Sequence, residues 1–323
     1  MAVSSGNLND LYSDIVADLI PYYDNAVLLP NPSLIVNSYN LEGGVGNTVK
    51  IPVTNAYGTS NVSIADNASI LNLAGTNSDF NPSNVSLSVV KRGTGSRVST
   101  ESMEDGGMST VAGATTMRLA KSIANSTDIA GFRTMLSGSE TELTDIANIN
   151  VTNDGVAAGT LGTGAVSELA VVFSPEAGAY AVKRQPEVKM FEDIDTDSVE
   201  FVATLRNGFA QVQTSFIRAI ATEGLSANAA TSASLDQFAT SIANLRAVNA
   251  PTDAGGFYIA CITPGQELHL SKELNGVGGI ASGSIGSVAQ LAANDALLQG
   301  LVSVAVGARF VRSNHLPTGL ASA

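Results

Sequence analysis

Apolar residues fall at helical spacing at Leu8, Leu11, Tyr12, Ile15, Val16 and Leu19, so the chain opens on a predicted short amphipathic helix that Pro21 brings to an end. From Pro30 and Pro32 to Tyr39 the prolines favour extended backbone with unpaired edges, which predicts an arm lying over another surface. The period then changes to two. Val49, Ile51 and Val53 alternate with polar residues over Thr48 to Val53, and Val85, Leu87 and Val89 alternate with Ser86 and Ser88. These runs read as two legs of a long β-hairpin. Between them, Asn55 to Pro82 is rich in Asn, Ser, Gly and Ala, a composition that packs no core alone and suits a protrusion resting on a neighbouring subunit.

After Gly106 and Gly107 a long helix is predicted over Ser109 to Leu136, with Val111, Thr115, Leu119, Ile123, Ile129, Phe132 and Leu136 on one face. Asn125, Ser126 and Gly131 are weak helix formers and mark an expected break or kink. Ser137 to Ala165 reads as an exposed connection. From Leu169 to Ala221 four strand patterns separated by turns predict an antiparallel layer, followed by a linker over Gly224 to Ser234. Ser234 and Gln237 then fit a capping box before the stripe Leu235, Phe238, Ile242 and Leu245. Phe257 to Ile262 is apolar on both faces and reads as a central strand; Thr263, Pro264 and Gln266 cap a helix reaching Leu274. Residues 299–317 keep strand character close to the end of the chain and then stop, which suits either a part shaped for assembly with copies of itself or one whose expected continuation sits elsewhere.

Composition narrows the function. The chain has 323 residues, 44% hydrophobic and only 14% charged, with 31 Gly and no Trp, so it folds a sizeable core under a surface of small polar residues. Sixteen basic residues against 29 acidic ones give a net charge of −13, which repels polyanions and argues against direct nucleic-acid recognition. A container wall that must not stick to packaged DNA has the same balance. The N-terminus shows no secretory pattern and no uncharged window of spanning length occurs, which reads as a soluble protein used in the cytoplasm. The Asn-x-Ser/Thr triplets at Asn61, Asn67, Asn84, Asn125 and Asn150 then imply no sugar.

Candidate chemistry is thin. Cys261 is the one cysteine, inside an apolar run, and reads as a buried small hydrophobe; with only His269 and His315 present, neither a Cys/His metal set nor a triad can be assembled. Gly276, Gly278, Gly279, Gly283 and Gly286 lack the Lys-Ser/Thr and the strand-to-helix context of a phosphate loop, and Gly93 and Gly95 read as turn residues at the hairpin's exit. Glu101, Glu104 and Asp105 sit before the long helix, where its dipole favours negative charge. Glu192, Asp193, Asp195 and Asp197 read as a solvated turn that lacks the closing Glu of an EF-hand. Lys183, Arg184, Lys189, Arg206 and Arg218 are spread over the strand layer and read as surface or intersubunit pairing.

Taken in order, the amphipathic arm, the run Gly46-Asn-Thr-Val-Lys-Ile-Pro52, the polar hairpin and the long helix after Val98-Ser-Thr-Glu101 resemble the major capsid proteins of tailed bacteriophages, the Hong Kong 97 coat fold. Phe257 to Leu274 and Gly307 to Pro317 resemble that family's axial strand and helix and its late strand and turn. The resemblance implies an α+β fold with an N-terminal arm over 1–42, an extended hairpin or E-loop over 43–98, and a spine helix with the start of the peripheral domain over 99–165. A strand-rich block over 166–233 and an axial-type α+β domain over 234–323 complete it. It departs from the family in two respects, for it reaches its arm within the first few residues, without the long charged scaffolding segment of some relatives, and its order of blocks differs. The block resembling Ala170 to Ile220 precedes the helix at Ser234 instead of following the Ser-Asn-His-Leu-Pro turn, so either the domain order is permuted or the block corresponds to something else.

The function this resemblance implies is that of a non-enzymatic shell subunit, without catalytic residues, metal or cofactor. It assembles in the host cytoplasm into hexamers and pentamers of the same chain, forming an icosahedral virion head around double-stranded DNA held without sequence recognition. Portal, scaffolding and decoration proteins are further implied partners, and a membrane is not. A separate scaffold or none is implied, and the Lys-to-Asn crosslink of some relatives maps to no position here. An encapsulin compartment around cargo enzymes shares the fold; a secreted surface-array or adhesin protein, or a hydrolase using paired carboxylates, are the readings from other classes.

Overall fold

The computed structural model describes residues 19–53, 83–137, 152–153, 166–223, 233–274 and 304–320, apart from residues 20, 25, 32–33, 36, 44–45, 107, 194 and 317. In chain order come β1 (Asn37–Asn40), β2 (Thr48–Val53), β3 (Ser83–Ser88), β4 (Val90–Ser99), α1 (Thr100–Gly106) and α2 (Met108–Ser137). Next are β5 (Thr152–Asn153), β6 (Val166–Phe173), β7 (Gly178–Asp193), β8 (Ser198–Gln211) and β9 (Ile217–Glu223). The chain closes with α3 (Leu235–Ala247), β10 (Tyr258–Ile262), α4 (Pro264–Leu274), β11 (Val304–Ala305), β12 (Ala308–Arg312) and β13 (Thr318–Leu320).

The expected antiparallel layer is divided between two sheets. One has the order β1-β7-β8-β4; the other runs β11-β12-β10-β6-β9-β5, with β13 also paired to β6. In the second sheet the period of two sorts side chains cleanly between two cores. Leu169, Val171 and Phe173 of β6, Ile217 of β9 and Ile259 and Cys261 of β10 face Phe132, Met135 and Leu136 at the end of α2. Ala170, Val172, Ile220, Tyr258, Ala260 and Ile262 face Phe238, Ile242 and Leu245 of α3. All five residues of β10 are buried, as its apolar run predicts, between β12 in parallel and β6 in antiparallel register.

In the first sheet β7 and β8 form a long antiparallel hairpin whose ladder shifts register between Val182 and Arg184 and again between Arg184 and Glu187. Pro186 lies at the second shift, where a residue without a backbone N–H cannot keep a regular ladder. β4 pairs with β8 along its whole length, Val90 opposite Asn207 through Ser99 opposite Ser198. Gly93 and Gly95 are therefore strand residues, a correction to their reading as a turn. At Gly93 a Cβ would meet the Ala203 carbonyl at 3.1 Å, so the glycine lets the two backbones lie close.

The long helix is continuous over 30 residues, without the break expected at Asn125, Ser126 or Gly131. Its buried hydroxyls are satisfied internally: Thr116 and Thr134 donate to the carbonyls four residues back, at 2.8 Å each. Gly131 is there for space, since a Cβ would lie 2.6 Å from Leu29 Cδ1. Both predicted helix starts hold. Ser234 and Gln237 form a reciprocal capping box on α3, and Thr263 and Gln266 exchange equivalent bonds at 3.2 and 3.1 Å at the start of α4.

The arm is the main correction. Residues 21–24 are helical, so Pro21 does not end a helix. Leu29, Leu34 and Ile35 are buried in this chain's own core, and β1 adds in parallel to β7. The strand pattern near the end of the chain continues past the Ser-Asn-His-Leu-Pro turn as β13, opposite Glu168 to Val166. The amphipathic pattern before Leu19, the loop between the hairpin legs, and the glycines from Gly276 to Gly286 lie outside the described residues.

Candidate assembly surface

The two hairpin legs pair antiparallel, Thr48 opposite Ser88 through Val53 opposite Ser83. One face of the pair is apolar: Ile51, Leu87 and Val89 pack on Ala179, Ala181 and Ala210, three small residues that let β2 and β3 sit close to the first sheet. At Gly208 of β8 the approach is closest, for a Cβ there would lie 2.1 Å from the Ser88 carbonyl oxygen. The root is also held by charge. Lys183 Nζ donates to the Gly46 carbonyl and, at 3.0 Å, to Asn47 Oδ1, which also accepts from Arg206 at 3.1 Å. Two of the basic residues scattered over the strand layer in the sequence thus converge on the start of the hairpin. Lys189 and Arg184 both lie beside Glu187, at 3.9 and 3.6 Å, and Arg218 is buried within β9.

A second connection ties the N-terminal segment to the long helix. Asp128 is buried, and its carboxylate accepts from the backbone N–H groups of Leu28, at 3.0 and 3.1 Å, and Leu29, at 3.0 Å. Burial pushes its pKa up to about 6, against the lowering effect of those donors. No sequence pattern marked this residue. An acidic side chain on the helix stripe otherwise filled by apolar groups was the available signal.

The acidic groups of the sequence do not converge. Glu101, Glu104 and Asp105 lie exposed on α1, a separate short helix before the long one that the sequence did not mark as helical. The turn after β7 is self-contained: Asp193 accepts from Thr196 Oγ1 at 2.7 Å and the Asp195 N–H at 3.2 Å, which with nearby Arg97 hold its carboxyl below the usual range. Asp197 takes a left-handed conformation, φ 44°, and accepts from Thr100 Oγ1 at 2.9 Å. Cys261 is fully buried and burial pushes its thiol pKa up, opposite to what a nucleophile needs. His269 is on α4 and His315 in the turn after β12, where burial pulls the imidazole pKa down. Among the described residues no three His, Cys, Asp or Glu side chains are grouped to hold a metal, and no helix is long and apolar enough to cross a membrane.

What the surface does offer is shape. Met117, Phe191, Val304 and Val306 are exposed apolar side chains. A groove of about 840 Å³ runs along the outer side of α2 beside β4, with Met117, Ala114 and Ile129 among its walls and Arg118 and Lys121 on its rim.

No family model matches the sequence, and no curated protein matches it. Solved structures do. The subunit of the procapsid of bacteriophage JBD30 superposes with a TM-score of 0.52 at 11% identity over 97% of this chain and 100% of that one. The JBD30 capsid superposes with the same TM-score at 9% identity, over 88% of this chain and 90% of that one. The resemblance to bacteriophage capsid proteins holds at the level of the fold: this is a mixed α+β chain with the fold of a phage shell subunit.

Proposed function

We propose that this chain is the major coat protein of a tailed phage, closing with copies of itself into an icosahedral head around double-stranded DNA. The observation that carries the reading is the fold shared with the JBD30 procapsid subunit over 97% of this chain and 100% of that one. In this reading 43–98 is the extended hairpin, 99–165 the spine and the start of the peripheral domain, and 234–323 the axial domain around which hexamers and pentamers close. The work is mechanical. The root over Gly46–Asn47 and Gly208 fixes the direction of the hairpin, so that the loop between β2 and β3 is presented to a neighbour at little entropic cost. Heterologous contacts of this kind close only when curvature is set, hence two ring sizes. Residues 21–41 anchor the subunit on itself, which assigns the overlap between neighbours to the hairpin loop and to the residues before Leu19.

Negative-stain microscopy of the purified chain tests this, with regular hollow particles expected. Removing Ala56 to Asn81 is expected to leave a soluble subunit, with its core intact by circular dichroism, that forms no stable shells. Normal particles from that deletion, or isolated monomers from the intact chain under all assembly conditions, overturn the reading.

A further inference from the structure

The groove along α2 is unusual for this chain. Its walls hold Arg92, Arg118, Lys121 and Arg133, four of the 16 basic residues of a molecule with net charge −13, and no Asp or Glu. The one acidic residue of α2, Asp128, is buried and engaged by the backbone N–H groups of Leu28 and Leu29, so it is not offered to the groove. Neither Arg118 nor Lys121 makes an ion pair among the described residues, and both are exposed. Between the cations lies an apolar strip that includes Met117 and Ile129. Cations flanking apolar surface fit an amphipathic segment with acidic residues beside its apolar stripe.

We propose that this groove is the docking site for residues 8–18 of a neighbouring copy. Leu8, Leu11, Tyr12 and Ile15 supply the apolar stripe, and Asp10, Asp14 and Asp18, each four apart, form one acidic line beside it. On a helix that line spans about 12 Å, within reach of cations on successive turns of α2. No basic residue precedes Lys50, so nothing in the segment opposes the pairing. Other acidic stretches fit less well. The loop between β2 and β3 carries only Asp66 and Asp79; the turn at Asp193 is engaged with Thr196 and Arg97; α1 lacks an apolar stripe of comparable length.

A neighbour's segment is favoured over the chain's own by where that segment begins. Leu19 is buried with Leu119, Ile123 and Ala120, on the face of α2 turned inward. The groove is on the outward face, so the chain's own segment starts on the far side of the helix. Phosphates of nucleic acid share the attraction to the cations, but the apolar strip gives them nothing and the overall charge repels them. The proposal rests on the shell reading and names the contact that locks one subunit to the next.

The test uses full-length chains. Asp14→Cys in one chain and Lys121→Cys in a second, tagged chain are mixed under assembly conditions and oxidised; Cys261 is buried and does not compete. A disulfide joining the two different chains is expected. Separately, Arg118→Glu with Lys121→Glu is expected to lower shell yield by about tenfold or more, because like charges then face each other, and Asp10→Lys, Asp14→Lys and Asp18→Lys in the same chain restore it. A disulfide formed within a chain carrying both cysteines overturns the proposal, as does wild-type assembly of the groove variant. So does a loss confined to the nucleic-acid content of the particles, which makes the groove a phosphate site. Wild-type shells without the interchain disulfide sink the docking alone; no wild-type shells sink the shell reading.

Discussion

Asp128 shows how one side chain couples the N-terminal segment to the long helix and what that coupling costs. Its carboxylate receives two backbone N–H groups, which favour the ionised form, yet it sits in a core where ionisation is penalised. Burial wins, and the folded pKa of about 6 stands above the ordinary 3.8. A raised folded pKa means that the native state binds the proton more tightly than the unfolded chain. The associated stability is complete below about pH 3.8 and is lost as pH rises through about 6, a difference on the order of 3 kcal/mol. Asp128→Asn keeps one acceptor but cannot ionise. Urea unfolding of both proteins between pH 4 and 8 is expected to show wild-type stability falling relative to the variant over that window. Parallel curves would show that the carboxyl titrates as it does in the unfolded chain.

At the scale of elements, the hairpin root makes the sharpest prediction. Gly208→Ala places a methyl against the Ser88 carbonyl, so β3 or β8 must shift, and a cost of about 1–3 kcal/mol is expected. Gly113→Ala on α2, where nothing lies within 4 Å of the added methyl, is expected instead to raise stability by about 0.5–1 kcal/mol through helix propensity. Denaturant midpoints of the two variants should move in opposite directions; a neutral Gly208→Ala would mean that the root is loose. The elements themselves were largely legible. Val49, Ile51 and Val53 opposite Val85 and Leu87 marked the hairpin legs, and Ser234 with Gln237 and Thr263 with Gln266 marked two helix starts, because period and capping are local physics. What covers an element is not local. Nothing in β4 says that Gly93 and Gly95 lie against β8, and nothing in β6 and β7 says that they join different sheets.

The same limit explains the arm at the scale of the whole molecule. Pro30 and Pro32 suggest an extended arm, but the backbone turns at Leu28–Asn31, where the Asn31 N–H donates to the Leu28 carbonyl at 3.2 Å, and Leu29, Leu34 and Ile35 are core residues; a sequence does not say whose core they enter. Net charge is different, since it needs no partner to be read. With a net charge of −13, the chain as a whole disfavours the approach of a polyanion within the Debye length of about 8 Å at physiological salt, while the groove on α2 gathers four cations against that balance. Four cations there cannot offset the excess, and if they are covered in the shell by residues 8–18 they are not offered to DNA at all. A protein that binds nucleic acid without specificity reaches half-saturation at about 1–100 μM and loses affinity steeply with salt, by about 0.9 log units per log unit of salt for each phosphate contact. This chain is expected to show no shift of double-stranded DNA in that range at about 0.15 M salt, and no gain in affinity as the salt is lowered, because weaker screening strengthens repulsion as well as attraction. Titration by fluorescence anisotropy at several ionic strengths reads both quantities. A steep negative slope would place DNA directly against this wall and would require a cationic surface beyond the groove; a flat line fits a container that holds its contents by closure and not by adhesion.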